Sequence, residues 1–171
     1  MADFLSGPKL ARTIKSILAE AGSRSAIAFR RRGSEDWIMG TGSKVIANLN
    51  SGGTNPYVLH KVRVEVKQCT ALHANVYVGR NHAVVSSSNV SIEALGLEGF
   101  GQAGWIEAGV LLGQVERAGK WFDELWSFGS SVITDAQWKE AERLWDLRET
   151  SHNPSSPASL TLKPARQTFL L

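Results

Sequence analysis

The side chains best suited to chemistry fall within twenty residues, LHANVYVGRNHAVVSSSNVS, Leu72 to Ser91. His73 offers an imidazole, a side chain that can serve as nucleophile or proton carrier. Read as a strand, LHANVYV alternates so that His73, Asn75 and Tyr77 share one face and Leu72, Val76 and Val78 the other. The next strand, HAVVSSSN, ends in Ser86, Ser87, Ser88 and Asn89. Hydroxyls, an amide and free backbone N–H groups at a strand end can cradle a phosphate. Downstream, Glu107 interrupts the apolar run GWIEAGVLL, and an acid in such a strand needs a partner. The plainer reading of His73 alone is a histidine satisfied within a core.

These residues resemble the signature of the phospholipase D superfamily, H-x-K-x4-D followed by G-S-x-N, in the form that carries one motif per chain. LNSGGTNPYVL before the segment and EGFGQAGWIEAGVLL after it also resemble parts of small bacterial members, so the likeness covers roughly residues 20 to 150. The resemblance implies that His73 is the nucleophile that forms a covalent phosphohistidine. It assigns Ser87 and Asn89 to hydrogen bonds with phosphate oxygens, and Glu107 to orienting the histidine. Asn75 stands where the family has a phosphate-binding lysine, Arg80 where it has aspartate, and Ser86 where it has glycine. A neutral amide at 75 supplies less charge to a transferring phosphoryl group, and loss of one such donor typically costs about 3–4 kcal/mol. Lys44, Lys61 and Arg63 are the cations in adjacent segments that can replace it, whereas Arg80 has the wrong strand parity. Family members with one motif pair two copies, so the resemblance also implies a homodimer in which two His73 side chains share one cleft.

The elements that must position these residues are short. Leu10, Ile14, Ile17, Leu18 and Ala21 form one stripe of an amphipathic helix over residues 9 to 21, with Gly22 as its stop. SAIAF, KVIANL, VRVEVKQC, LHANVYV and HAVVSSS read as strands, and a short helix follows Pro56. GWIEAGVLL suits a central strand buried on both faces. Residues 114 to 127 gather Val115, Ala118, Phe122, Leu125 and Trp126 on one helical side, and Thr134 with Gln137 forms a capping box for a last helix. Strands with flanking helices make an α/β layered domain. The resemblance sharpens this to an α/β/α sandwich around a central mixed sheet, phospholipase D-like, over residues 1–150, with a Pro/Ser-rich tail over 151–171.

A chain of 171 residues suits one domain, and its 43% hydrophobic and 20% charged content is that of an ordinary globular protein. No apolar run is long enough to span a membrane or serve as an export signal, and Cys69 is the lone cysteine, so the expectation is a cytoplasmic protein without a transmembrane segment. With one cysteine and scattered histidines there is no metal-ligand spacing, and no cofactor is expected. The charge of +3 is concentrated in RSAIAFRRRG and HKVRVEVK, which suit a polyanionic partner. Two functions are expected from different classes. One is a metal-independent phosphodiesterase acting on DNA or RNA. The other is a catalytically inactive homologue that binds nucleic acid or protein as a dimer.

Overall fold

The structure is a computed structural model that describes residues 2–28, 39–50, 54–61, 64–89 and 106–151. Among them, β1 (Ala2–Ser6) leads into α1 (Gly7–Ala19), followed by β2 (Arg24–Ile27), β3 (Lys44–Ala47), α2 (Pro56–Lys61), β4 (Glu65–Gln68), β5 (Asn75–Val78) and β6 (Ala83–Ser86). The chain continues through β7 (Ala108–Leu112), α3 (Glu116–Glu124), a π-helical turn (Leu125–Gly129), β8 (Ser131–Val132) and α4 (Asp135–Ser151). The strands form one sheet in the order β1-β7-β6-β5-β2-β3-β4-β8. β2, β3 and β4 run parallel, and every other neighbouring pair is antiparallel.

Alternation along the strands sends two apolar sets to opposite faces. On one, Ile27, Tyr77 and Val84 meet Leu10, Ala11, Ile14, Ile17 and Leu18 of α1, the stripe expected from the sequence. Val45 and Ala47 continue that face beneath Leu59 of α2 and Ala141 of α4, and Met39 packs against both clusters. On the other face, Ala26, Ile46, Val76 and Val78 are covered by Phe122 and Trp126. Helices thus cover both faces of a mixed sheet, as expected of an α/β/α sandwich. α1 ends three residues before Gly22, whose φ of +72° turns the chain back toward β2. The capping box at α4 is present: Thr134 N–H donates to Gln137 Oε1 at 2.8 Å, and Gln137 N–H to Thr134 Oγ1 at 3.3 Å.

Three local expectations change. The edge strand β1 has no sequence counterpart above, because a five-residue run with one buried side chain carries no readable alternation. β5 begins at Asn75, so His73 lies in the approach to the strand and not within it. β7 is next to the edge and only partly buried: Phe4, Val110 and Val85 lie side by side across β1, β7 and β6, and all three are exposed. An apolar run therefore marks this strand without making it central. Trp37, Arg63 and the arginine run at 30–32 lie outside the described residues, as does the tail beyond Ser151.

Candidate active site

The parallel strands β2, β3 and β4 all end at the edge where β5 begins, and β6 ends and β7 begins at that same edge. The sheet changes from parallel to antiparallel between β2 and β5, and the carboxyl edge beside such a switch is where open α/β sheets form ligand crevices. His73, Asn75, Ser87, Asn89 and Glu107 all belong to this edge.

Asn75 is the first residue of β5, paired with Ile27 on one side and Ser86 on the other, and is 6% exposed. Its Oδ1 accepts the N–H of Ala28 at 3.2 Å, and its Nδ2 donates to the carbonyl of Ser87 at 3.2 Å. The amide therefore ties the ends of β2 and β6 to β5. An amide nitrogen carries two hydrogens, so one donor remains beyond the Ser87 contact. Tyr77, fully buried, donates its hydroxyl to the carbonyl of Ser88 at 2.8 Å and fixes the same turn from below.

Ser86 occupies a position where the resemblance has glycine, and the neighbouring strand makes the room. Its Cα partner on β7 is Gly109, where an added Cβ would lie 2.8 Å from Ser86 Cβ. The Ser86 hydroxyl accepts the Ser88 N–H at 3.2 Å, a local bond that bends the chain out of the strand. Ser87 is exposed, and its hydroxyl donates to Glu107 in a short hydrogen bond. The Ala108 N–H reaches Ser87 Oγ at 3.2 Å, and the Ser87 N–H reaches the Ala108 carbonyl at 3.0 Å. Glu107, expected to orient His73, is thus engaged with Ser87. Asn89 follows with a buried Oδ1 that has no hydrogen-bond partner among the described residues.

His73 is exposed at the end of the loop after β4. That loop is held by Asn48, 8% exposed, whose Nδ2 donates to the carbonyls of Thr70 at 3.0 Å and Leu72 at 3.1 Å. Thr54, 1% exposed, donates to the carbonyls of Asn48 at 2.7 Å and Ala28 at 3.2 Å. Neither residue was singled out from the sequence. The available signal was an asparagine closing the apolar run KVIA, since a buried amide has to be spent on a hydrogen bond.

Among the described residues, Lys44, Lys61 and Arg80 lie elsewhere. Lys44 opens β3 at the opposite edge, its Nζ 5.0 Å from the centroid of Trp126. Lys61 ends α2 and is exposed. Arg80 sits in the β5–β6 hairpin, also at the opposite edge, where its N–H donates to Glu20 Oε2 at 2.6 Å. Distance along the strand, more than side-chain parity, separates Arg80 from the site. Among the described residues, no three His, Cys, Asp or Glu side chains gather in a way that can hold a metal ion, and no helix is long and apolar enough to cross a membrane.

No protein-family profile matches the chain, and no curated protein matches it in sequence. Its backbone does match solved structures. NucT from Helicobacter pylori aligns with a TM-score of 0.56 at 14% identity, over 77% of this chain and 98% of that one. The phospholipase D family member Nuc from Salmonella typhimurium aligns with a TM-score of 0.53 at 12% identity, over 77% and 99%. The phosphatidylserine synthase of Haemophilus influenzae aligns with a TM-score of 0.56 at 10% identity, over 86% of this chain and 43% of that one. The central mixed sheet with flanking helices is the phospholipase D-like fold.

Proposed function

We propose that the chain is a phosphodiesterase of the phospholipase D type, working without a metal through a phosphohistidine and acting on nucleic acid. The observation that carries this reading is the convergence of His73, Asn75, Ser87, Asn89 and Glu107 on one edge of a sheet with this fold. An imidazole nitrogen of His73 attacks phosphorus, a P–N bond forms, and the P–O bond to one ester oxygen breaks. That oxygen takes its proton from the His73 of a second copy in a homodimer. Water, giving a proton to the same imidazole, then attacks the phosphohistidine, which breaks the P–N bond and releases a phosphomonoester. Asn89 and the remaining amide hydrogen of Asn75 donate to the non-bridging oxygens. The Ser87 hydroxyl joins them by turning from Glu107 to the phosphate, which frees the carboxylate to hold the imidazole. The basic segments RSAIAFRRRG and HKVRVEVK support a polyanionic substrate.

A second reading, a dimeric module that binds nucleic acid or protein without turnover, is favoured by one observation. Asn75 and Ser87 are already committed to protein partners, and no lysine stands at 75. Hydrolysis of bis(p-nitrophenyl) phosphate in EDTA separates the two. Under the first reading the parent chain releases p-nitrophenol and His73→Ala does not. Equal release by both, or loss of all release on adding EDTA, contradicts it.

A further inference from the structure

α3 runs back across the sheet from the edge where β7 ends, and its last turn relaxes into the π-helical stretch Leu125–Gly129 beside the end of β4. Single π turns are uncommon and recur at functional sites. This one turns two aromatics in opposite senses. Trp126 goes inward, 8% exposed, stacked against Phe122 at 5.8 Å and close to two cations: Lys67 Nζ lies 4.7 Å and Lys44 Nζ 5.0 Å from its centroid. Lys67 also donates to the Trp126 carbonyl at 3.0 Å, one of the carbonyls a π turn leaves open. Phe128 goes outward and is 90% exposed.

Phe128 borders two depressions. One, of about 270 Å³, is lined by Gln68, Thr70, Ser130 and Ser131, with Cys69 and Gly129. The other follows α3 past Asp123 and Lys120 to Arg24. Open space on both sides of an exposed ring suits a flat aromatic ligand better than an aliphatic one. Thr70 in the first depression is three residues from His73, so their Cα atoms are at most about 11 Å apart. That is within reach of one neighbouring nucleotide.

We propose that Phe128 is a stacking platform for a nucleobase of the strand whose phosphodiester lies at His73. Thr70 and Ser131 present hydroxyls toward the base edge, and the Lys67 charge favours the attached backbone. The assignment rests on the nucleic-acid reading above and deepens it, because an unpaired base can stack on Phe128 and a base held within a duplex cannot. Base-on-aromatic stacking tolerates any sequence, so the platform selects strandedness and not sequence.

Binding of fluorescein-labelled oligothymidylate, followed by anisotropy in EDTA in the His73→Ala background, tests this without requiring turnover. Adding Phe128→Ala weakens binding by about five- to a hundred-and-fiftyfold, the usual range for one stacked base. Phe128→Trp retains affinity and shows tryptophan quenching by the oligonucleotide beyond that of the parent. An abasic oligonucleotide is insensitive to both changes. Equal affinity with and without the Phe128 ring, equal binding of duplex, or no binding at all overturns the platform. Failure of catalysis is read separately, from hydrolysis by the parent chain. The ring is outside the core, and circular dichroism of each variant verifies the fold.

Discussion

At the scale of single residues, the site is a set of polar groups with most of their hydrogen bonds already assigned. His73 is exposed, so His73→Ala is expected to cost less stability in urea titration than truncating a buried side chain while, under the proposed mechanism, abolishing turnover. Asn75 behaves differently. Truncating it orphans the Ala28 N–H and the Ser87 carbonyl, and Asn75→Ala lowers stability by about 1–3 kcal/mol in the same titration. Asn75→Lys restores a charged donor but cannot accept from Ala28, since an ammonium has no acceptor. It is therefore expected to cost stability and to raise kcat on bis(p-nitrophenyl) phosphate by about two to three orders of magnitude, the range for one preorganised donor. The sequence named Asn75 as a phosphate group, yet its structural duty was invisible there. Which backbone atoms an amide meets depends on the ends of β2 and β6, forty-seven and twelve residues away in the chain.

At the scale of elements, the strand ends matter more than the strands. Asn48→Ala removes the two bonds that hold the Thr70 and Leu72 carbonyls, loosening the loop that delivers His73. Under the proposed mechanism it lowers kcat more than it raises KM, because the defect lies in placing His73 as nucleophile. Gly109→Ala drives a methyl to 2.8 Å from Ser86 Cβ and 3.0 Å from the Val85 carbonyl, neither of which is a flexible side-chain end. A loss of about 1–3 kcal/mol follows, read as a lower urea midpoint. Thr134→Ala opens the capping box at α4 for about 1 kcal/mol and leaves hydrolysis alone. Helix stripes and this cap were legible because their periodicity and spacing are local. The limits of β5 and the place of β7 were not. An alternating pattern shows which residues face a core, but the last ladder pair is set by the neighbouring strand, and β7 is flanked by β1, which the sequence concealed.

At the scale of the whole molecule, the chain brings distant segments to one carboxyl edge while its hydrophobic clusters lie on the two faces away from it. The fold class was readable from mixed strands and helices, and the resemblance around His73 named the right architecture although overall identity to the matching structures is only 10–14%. Net charge is a property of this scale too. Binding to nucleic acid through phosphate contacts weakens steeply as salt rises, giving a linear fall of log K with log salt concentration. The central claim is that His73 carries the phosphoryl group. Intact-protein mass spectrometry of the chain mixed rapidly with bis(p-nitrophenyl) phosphate in EDTA tests it most directly. The account predicts an adduct of one nitrophenyl phosphoryl group, mapped to His73 and absent from His73→Ala. Turnover with no adduct at His73, or an adduct that persists in His73→Ala, contradicts it.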